Sequence, residues 1–434
     1  MAFLTQSPRG TQDILPKESY KWQYIERAML ETAQAYGFSE IRTPTFEHTE
    51  LFTRSVGDTT DVVQKEMYTF MDKGNRSVTL RPEGTAGVVR AVVESGVVND
   101  ALPLKTAYFI NCFRYERPKA GRLREFHQFG VESFGCENAS ADAELIGLAS
   151  GIMERLEISN AVSLEINSIG CPNCRPNYTQ ELIAYFSQKE EHICKICKER
   201  LQKNPLRILD CKEESCQKIT KDAPSILNVL CEECDTHFEQ LKYNLDAMKI
   251  EYVVNDRIVR GLDYYTKTVF EFVTDTIGTI CGGGRYDGLT ELLGTNKIPA
   301  LGFAIGLERL LLTMDTIDAP MPNAKVCDIY LGNIGEETGV VALQLVNILR
   351  KEGFYAEFDS IGRSVKAQMK YANKISAKFS AIIGENELET GKIQVKNMQS
   401  GEPTEVLLTG LVNFMFENII TDLELSFGEL DINF

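Results

Sequence analysis

The chain has 434 residues, of which 43% are apolar and 25% charged, and a formal net charge of −16. The length suits two or three domains, and the shares are those of an ordinary globular protein. No apolar run approaches the roughly 18 residues of a membrane helix, and the acidic balance argues against indiscriminate nucleic-acid binding, so a nucleic-acid partner needs locally basic surfaces.

The start, MAFLTQSPRGTQDILP, lacks a basic-then-apolar signal layout, so a cytoplasmic protein with no membrane partner is expected. Twelve cysteines in such a chain read as thiols or metal ligands rather than disulfides. Residues 17–37 set Trp22, Ile25, Met29, Ala33 and Tyr36 at helical spacing and stop at Gly37, which predicts an amphipathic helix with one core face. The next stretch is extended around Pro44, which cannot donate to a ladder and belongs at an edge or interface. In TLRPEGTAGVVRAVVES (79–95), Pro82 suits the first helical position, with Glu83 and Thr85 in the first turn.

Residues 108–134 predict a hairpin, YFINCFRYE and LREFHQFGVESF joined by RPKAGR. Alternation groups Ile110, Cys112, Arg114 and Glu116 against Phe109, Phe113 and Tyr115. In the second strand it groups Phe126, Gln128, Glu132 and Phe134 against Phe129 and Val131. One face is a conventional core, and the other mixes charge with aromatics. Solvated faces are common in antiparallel sheets, but Phe126 and Phe134 among the charges favour a polar ligand floor. His127 falls on the apolar face and reads as structural.

Residues 170–245 hold eight of the cysteines, Cys171, Cys174, Cys194, Cys197, Cys211, Cys216, Cys231 and Cys234, between Lys/Glu-rich helical pieces. This is an expected inserted subdomain. CPNC, CKIC and CEEC have the ligand spacing of zinc sites, and CKEESC is a looser fourth pair. Four thiolates close one structural site, so eight could close two. Reduced thiols in a helical insert are the alternative, and spacing does not select the ligands.

RGLDYYTKTVFEFVTDTIGTICGGGRYDG (260–288) opens on Arg260, carries Asp263, Tyr264 and Tyr265, and runs through a β-branched segment to Gly282–Gly284. It predicts a loop, a strand and a return strand whose glycines admit a close approach by a ligand or a neighbouring strand. PALGFAIGLERLLLTM (299–314) predicts a strand turning into a helix near Glu308 and Arg309. From about 325 onward strands and helices alternate, the pattern of a compact α/β domain. Within it, Arg363 precedes Lys366, Lys370, Lys374 and Lys378, spaced four apart with no acid from 361 to 379. On a helix these lysines form one stripe. A solvated face usually interleaves acids, because like charges at i,i+4 repel, so a phosphate-tracking face is favoured. The closing TDLELSFGELDINF is acidic and weakly periodic.

The sequence has no GxxxxGK[ST] loop, GxGxxG, nucleophile elbow or HExxH. What remains is arginine beside carboxylate: Arg114 with Glu116, Arg260 with Asp263, Glu308 with Arg309. Arginine is preferred where phosphate or carboxylate is held bidentately, and three such pairs in strand- or turn-like segments suggest a polyphosphate-type ligand.

These segments resemble the class II aminoacyl-tRNA synthetases and, within them, the histidyl-tRNA synthetase family. IRTPTFEHTELFTRSVGD resembles the first class motif, a dimer-interface element that includes Pro44. FRYERPKAGRLREFHQFGVESFG resembles the second and LGFAIGLERL the third, while RGLDYYTKTVFEF and GGGRYDGL resemble the two histidine-specific motifs. PRGTQDILP and LRPEGTAG also match, and the resemblance runs from about residue 8 to about 415.

The resemblance implies an α+β fold. A class II antiparallel-sheet catalytic core with helices is expected over 1–325, interrupted by the helical Cys-rich insertion at 170–245. An α/β anticodon-binding domain is expected over 326–420 and an acidic tail over 421–434. It implies a histidine–tRNA ligase using ATP with Mg2+, acting as a homodimer on histidine and histidine tRNA. By resemblance Arg114 and Arg309 bind ATP, Glu116 lies near the adenine amino group, and Phe126 stacks under adenine. Glu83, Thr85 and Gln128 hold the α-amino end of histidine. Glu132 and Tyr265, with Tyr264 nearby, read the imidazole. Arg260 contacts the α-phosphate and the histidine carboxylate. The hairpin loop, with Arg117, Lys119, Arg122 and Arg124, meets the acceptor end of tRNA. Lys119 departs from the glutamine common there, which bears on how the extra 5′ guanosine is read. The lysine helix belongs to the anticodon domain. A catalytically silent paralogue that regulates an ATP phosphoribosyltransferase is the alternative; such paralogues usually lack the full site and the anticodon domain, and both are present here.

Overall fold

The computed structural model describes residues 5–57, 60–294 and 296–424. The chain divides into two compact units, Met1–Pro322 and Asn323–Phe434.

The first unit is organised by an eight-stranded sheet in the order β1-β5-β6-β11-β10-β9-β7-β8. Its strands are β1 (Ser39–Glu40), β5 (Leu104–Phe113), β6 (Glu125–Phe134), β7 (Ser163–Ser168), β8 (Val253–Val254), β9 (Thr266–Thr274), β10 (Gly278–Arg285) and β11 (Ala300–Gly306). Pairing from β5 through to β7 is antiparallel, and the short edge strands β1 and β8 are parallel to their neighbours. A separate small sheet joins β2 (Phe46–His48), β4 (Ser77–Leu80) and β3 (Tyr68–Met71).

Register separates the two faces of the large sheet. Across β5 and β6, Phe109 faces Phe129 and Ala107 faces Val131, while Ile110 faces Gln128 and Cys112 faces Phe126. The first set packs into a core with α1 (Pro16–Ala35), α4 (Ala139–Arg155), α8 (Glu232–Ala247) and α10 (Leu307–Thr316). In α1 the buried residues are Ile25, Ala28, Met29 and Ala33, the face that the spacing predicted, and Gly37 follows with φ +81°. Each large apolar side chain so buried stabilises by about 1.5–3 kcal/mol. The second set faces the functional cleft.

Several local expectations shift. Helix α3 is Thr85–Ser95, so Pro82 and Glu83 precede it and Pro82 is not its first residue. The reason is Glu83, whose carboxylate accepts from the Thr85 and Ala86 amides at 2.7 and 2.9 Å and satisfies two otherwise orphaned donors. The hairpin's first strand begins at Leu104 and ends at Phe113, which leaves Arg114 and Glu116 in the connector rather than on the sheet. His127 is half-buried against Trp22, ring centroids 4.9 Å apart, and its Nδ1 lies 2.8 Å from Glu308. Burial opposes its charge, but Glu308 outweighs that and raises its pKa.

The insertion between β7 and β8 carries α5 (Arg175–Ser187), α6 (Lys195–Lys203), α7 (Glu214–Thr220) and α8, whose apolar face returns to α4. The second unit has a five-stranded sheet in the order β13-β12-β14-β15-β16, namely β12 (Ile329–Asn333), β13 (Ala356–Phe358), β14 (Phe379–Ile383), β15 (Lys392–Asn397) and β16 (Pro403–Leu407). Helices α11 (Glu336–Lys351), α12 (Val365–Lys374), α13 (Glu385–Thr390) and α14 (Leu411–Glu424) complete it. The acidic tail expected from 421 overlaps the end of α14, and residues 425–434 lie outside those described.

Candidate active site

A cavity of about 600 Å³ opens over β6, β9, β10 and β11. Arg114, Glu116, Phe126, Gln128, Arg260 and Arg309 all line it, together with Glu66, Glu271, Thr279 and Gly282. Residues 200 apart in sequence are thereby brought to one place by strand order alone.

Arg260 ends the approach to β9. Its guanidinium lies against Glu271 on the same hairpin and 5.6 Å from the Tyr265 ring centroid. Burial disfavours its charge, but Glu271 and Tyr265 more than offset this and move its pKa above the usual arginine value. Gly282 is the reason it fits: a Cβ there would sit 2.3 Å from Arg260 Nη1. The close approach that the triple glycine admits at this position is therefore by the protein's own arginine. Gly283 has a different reason, since its Cβ would meet the Gly302 carbonyl at 2.4 Å. Arg285 is not a cleft residue; it is wholly buried and paired with Asp142 and Asp287.

Glu132 sits below the cleft floor, 1% exposed. Tyr108 donates to it at 2.8 Å, and Tyr286 donates to its other oxygen. Burial raises its pKa to about 8, against the hydrogen bonds from Tyr286, Thr85 and Tyr108, which lower it. Tyr264 and Tyr265 lie beside this group, with rings 4.7 Å apart, and Tyr264 is 5.4 Å from Tyr286. Glu83 and Thr85 are buried close by, and burial raises the Glu83 pKa despite the Ala86 and Thr85 amides that it accepts.

Arg114 donates to the Pro82 carbonyl at 2.8 Å and lies 5.3 Å from the Phe126 ring centroid. Arg309 donates to the Gly121 and Thr279 carbonyls, so the hairpin connector folds over α10.

The arginine–carboxylate pairs expected from sequence proximity are not the pairs formed. Glu116 pairs with Arg122, Asp263 with Arg207, Arg260 with Glu271, and Glu308 with His127. Neighbours in sequence point to opposite faces or leave a strand in a turn, so the partners come from across the sheet. The expected coupling of Glu132 to Tyr265 is likewise replaced by Tyr286 and Tyr108. Sequence reading passed over Tyr108, Tyr286, Glu271 and Thr279. Tyr286 lay within the GGGRYDG segment, and Glu271 was an acid inside an apolar strand run, which is a usable signal.

Of the basic connector, Arg117 and Lys119 are exposed, while Arg122 turns to Glu116 and Arg124 stacks 3.8 Å over Tyr115. In the second unit, Lys366, Lys370 and Lys374 form an exposed row on α12. Lys378 leaves the stripe, because α12 ends at Lys374 and Lys378 pairs with Asp328 at 3.5 Å. Arg363 is tied to Asp359 at 2.7 Å and lies 4.1 Å over Tyr371.

The eight cysteines sort into two tetrads, Cys171, Cys174, Cys231, Cys234 and Cys194, Cys197, Cys211, Cys216, each with all sulfurs within 4.8 Å of one another. Each tetrad could hold a metal ion.

An antiparallel sheet with parallel edges, arginines over its floor and a separate α/β unit defines a class II aminoacyl-tRNA synthetase. Residues 10–310 match the histidyl-tRNA synthetase family model and residues 327–418 the anticodon binding domain. The histidine–tRNA ligase of Acetivibrio thermocellus is 53% identical over 413 residues, covering 94% of this chain and 99% of that one. The Clostridium novyi ligase is 54% identical over 406 residues, 94% and 97% of the two chains. The apo histidyl-tRNA synthetase of S. aureus superposes with a TM-score of 0.81 at 40% identity, over 95% of this chain and all of that one. This chain belongs to the histidyl-tRNA synthetase family.

Proposed function

We propose that this chain activates histidine with ATP and transfers it to the 3′ end of histidine tRNA. The observation that carries this is one cavity in which a buried carboxylate–tyrosine cluster lies beside Arg260, between Arg114 and Arg309. A carboxylate ringed by phenols can bond both imidazole nitrogens, one a donor and one an acceptor, and such a site rejects analogues that lack either.

The histidine carboxylate attacks the α-phosphorus of ATP, the bond to the β-phosphate oxygen breaks, and pyrophosphate leaves. Arg260 bridges the attacking carboxylate and the α-phosphate, and its charge does not titrate away. Arg114 and Arg309 hold the remaining phosphates, Glu116 lies at the adenine amino group, and adenine stacks on Phe126. Glu83, Thr85 and Gln128 receive the α-amino group, and Glu132, Tyr264 and Tyr265 orient the imidazole. A terminal ribose hydroxyl of the tRNA then attacks the acyl carbon and AMP departs. No enzyme nucleophile is needed; positioning and charge neutralisation carry phosphoryl transfer.

Glu271 Oε2 and Thr279 Oγ1, 2.6 Å apart, place oxygen ligands between Arg260 and Arg309. That donor set fits Mg2+, which takes one or two protein oxygens plus substrate phosphates. When bound, the ion supplies neutralisation of phosphate charge. The cysteine tetrads suit Zn2+, whose structural sites are tetrahedral and rich in thiolate.

Arg117 and Lys119 face the acceptor end of the tRNA, with Arg122 and Arg124 framing their loop. The row Lys366, Lys370 and Lys374, with Arg363 at its head, tracks anticodon-stem phosphates. Exposed Phe46 and Phe70 share one face of the small sheet by register, beside exposed Pro44, which supports a homodimer formed there. Among the described residues no helix is long and apolar enough to cross a membrane.

The regulatory alternative has less support. The curated relatives named as ligases match nearly end to end, and the anticodon unit is present. Charging of histidine tRNA with labelled histidine is the test. Charging at the rate of an ordinary synthetase is expected; binding of histidine without adenylate formation would instead favour the silent paralogue.

A further inference from the structure

The two tetrads have a geometry that disulfides and loose thiols do not. Cys171 and Cys174 sulfurs are 3.7 Å apart, Cys171 and Cys231 3.9 Å, and Cys194 and Cys211 3.9 Å. A disulfide needs about 2.05 Å. A tetrahedron with metal–sulfur bonds of about 2.3 Å has edges of roughly 3.8 Å, which these distances match. Backbone amides point at the sulfurs, Cys231 N to Cys174 Sγ and Cys194 N to Cys216 Sγ, each at 3.2 Å. All-thiolate ligation of one small ion selects zinc among the common metals.

Neither tetrad stands apart from the cleft. Arg175, next after Cys174, donates to the Tyr265 carbonyl. Arg207, between the two halves of the other tetrad, donates to the Gly261 carbonyl at 2.8 Å and to Asp263 at 3.1 Å. Arg200, three residues after Cys197, donates to the Arg207 carbonyl at 2.9 Å and to Asp61. Cys194 and Cys211 themselves wall the cavity. The segment 261–265, which joins Arg260 to the tyrosines, is therefore gripped at both ends by arginines rooted beside the cysteine clusters.

We infer that the Cys194, Cys197, Cys211, Cys216 tetrad is a zinc-built brace for histidine activation: the ion fixes the fold of the insertion, the insertion fixes Arg207, and Arg207 positions the 261–265 segment. This rests on the zinc reading above. Arg207 is a positioning residue, since it touches no substrate in this scheme. Because coupling is reciprocal, histidine with ATP must tighten zinc at this tetrad.

Full-length protein expressed with zinc, the Arg207→Ala variant, the Cys194→Ser/Cys216→Ser variant and their combination separate the possibilities. Two zinc ions per chain are expected in wild type and Arg207→Ala, and one in the cysteine variant. Arg207→Ala and the cysteine variant should each lose about ten- to a hundredfold in kcat/KM for histidine in pyrophosphate exchange. The combination should lose no more than the worse single variant, because both act through the same segment. Arg207→Lys, which retains a donor, should recover part of the loss. In competition with a chelator, histidine plus ATP should raise zinc affinity in wild type and not in Arg207→Ala. Wild type without metal, or with iron instead, overturns the zinc reading and the brace together. Two zinc ions in wild type and one in the cysteine variant, with unchanged exchange kinetics or fully additive losses, overturn the brace alone.

Discussion

A single methyl group at Gly282 should silence the enzyme without unfolding it. The added Cβ would stand 2.3 Å from Arg260 Nη1, 2.5 Å from Nη2 and 2.6 Å from Cζ. Ordinary carbon contacts are about 3.5–4.0 Å, so the guanidinium must retreat by about 1 Å. It can do so, because it is the end of a flexible side chain and no backbone atom is in the way. A displacement of 1 Å at a positioned group costs on the order of a hundredfold in rate, or about 2.7 kcal/mol of barrier. Gly283→Ala is the contrasting control. Its Cβ meets the Gly302 carbonyl at 2.4 Å and Phe303 Cβ at 2.5 Å, and backbone in a paired strand cannot retreat, so about 1–3 kcal/mol of stability is lost to overpacking. Histidine-dependent pyrophosphate exchange and thermal unfolding, run on both variants, decide the matter. Gly282→Ala exchanging within twofold of wild type would show that Arg260 does not act from the place described. Equal loss of stability in the two variants would show that Gly282 is needed for packing.

Other outcomes follow from the same geometry. Arg260→Ala should nearly abolish adenylate formation with the fold intact, and near-normal exchange would sink its role. Glu132→Gln should lower kcat/KM for histidine by about ten- to a hundredfold, one hydrogen bond to a charged group. The Glu132 pKa of about 8 lies above its usual 4.5, so its contribution to stability is complete below pH 4.5 and is lost as pH rises towards 8. That loss is at most about 5 kcal/mol, and the Gln variant should show a flatter unfolding profile over that interval; an unchanged profile would contradict a proton held there. Replacing Lys366 and Lys370 with Gln should weaken tRNA binding and reduce its log–log salt slope by about 1–2, leaving pyrophosphate exchange unaltered; an unchanged slope would remove the row from the interface. Phe46→Glu with Phe70→Glu should shift sedimentation towards monomer, and an unaltered profile would place the interface elsewhere.

The sequence exposed whatever depends on near neighbours. Alternation in 108–134 assigned Ile110, Cys112, Phe126, Gln128 and Glu132 to one face, and the helical spacing from Trp22 to Tyr36 picked the buried side of α1. Long motif strings led to the family, and with it Arg114, Arg260 and Arg309 in one cavity. Pairings set by topology were hidden. Glu308 meets His127, 181 residues away, and Glu132 meets Tyr286, 154 away, because register across four strands decides them. The cysteines show the same limit: CPNC joins CEEC and CKIC joins CKEESC, a nested arrangement that spacing cannot choose. Lys378 fell outside its stripe because α12 stops one turn early, at a residue with no sequence signature of a stop.

The nesting also says something about how this catalytic unit can change. Cys174 and Cys231 are 57 positions apart, yet the backbone of one is hydrogen-bonded to the sulfur of the other. The chain thus leaves the sheet and returns to it through a single clasp a few ångströms wide. Whatever is threaded beyond such a clasp can lengthen, shrink or be exchanged while β7 and β9 keep their register, since only the spacing of the two stems is handed back to the core. The clasp is a graft point, where a synthetase can acquire or trade an appendage without retuning the sheet that performs its chemistry.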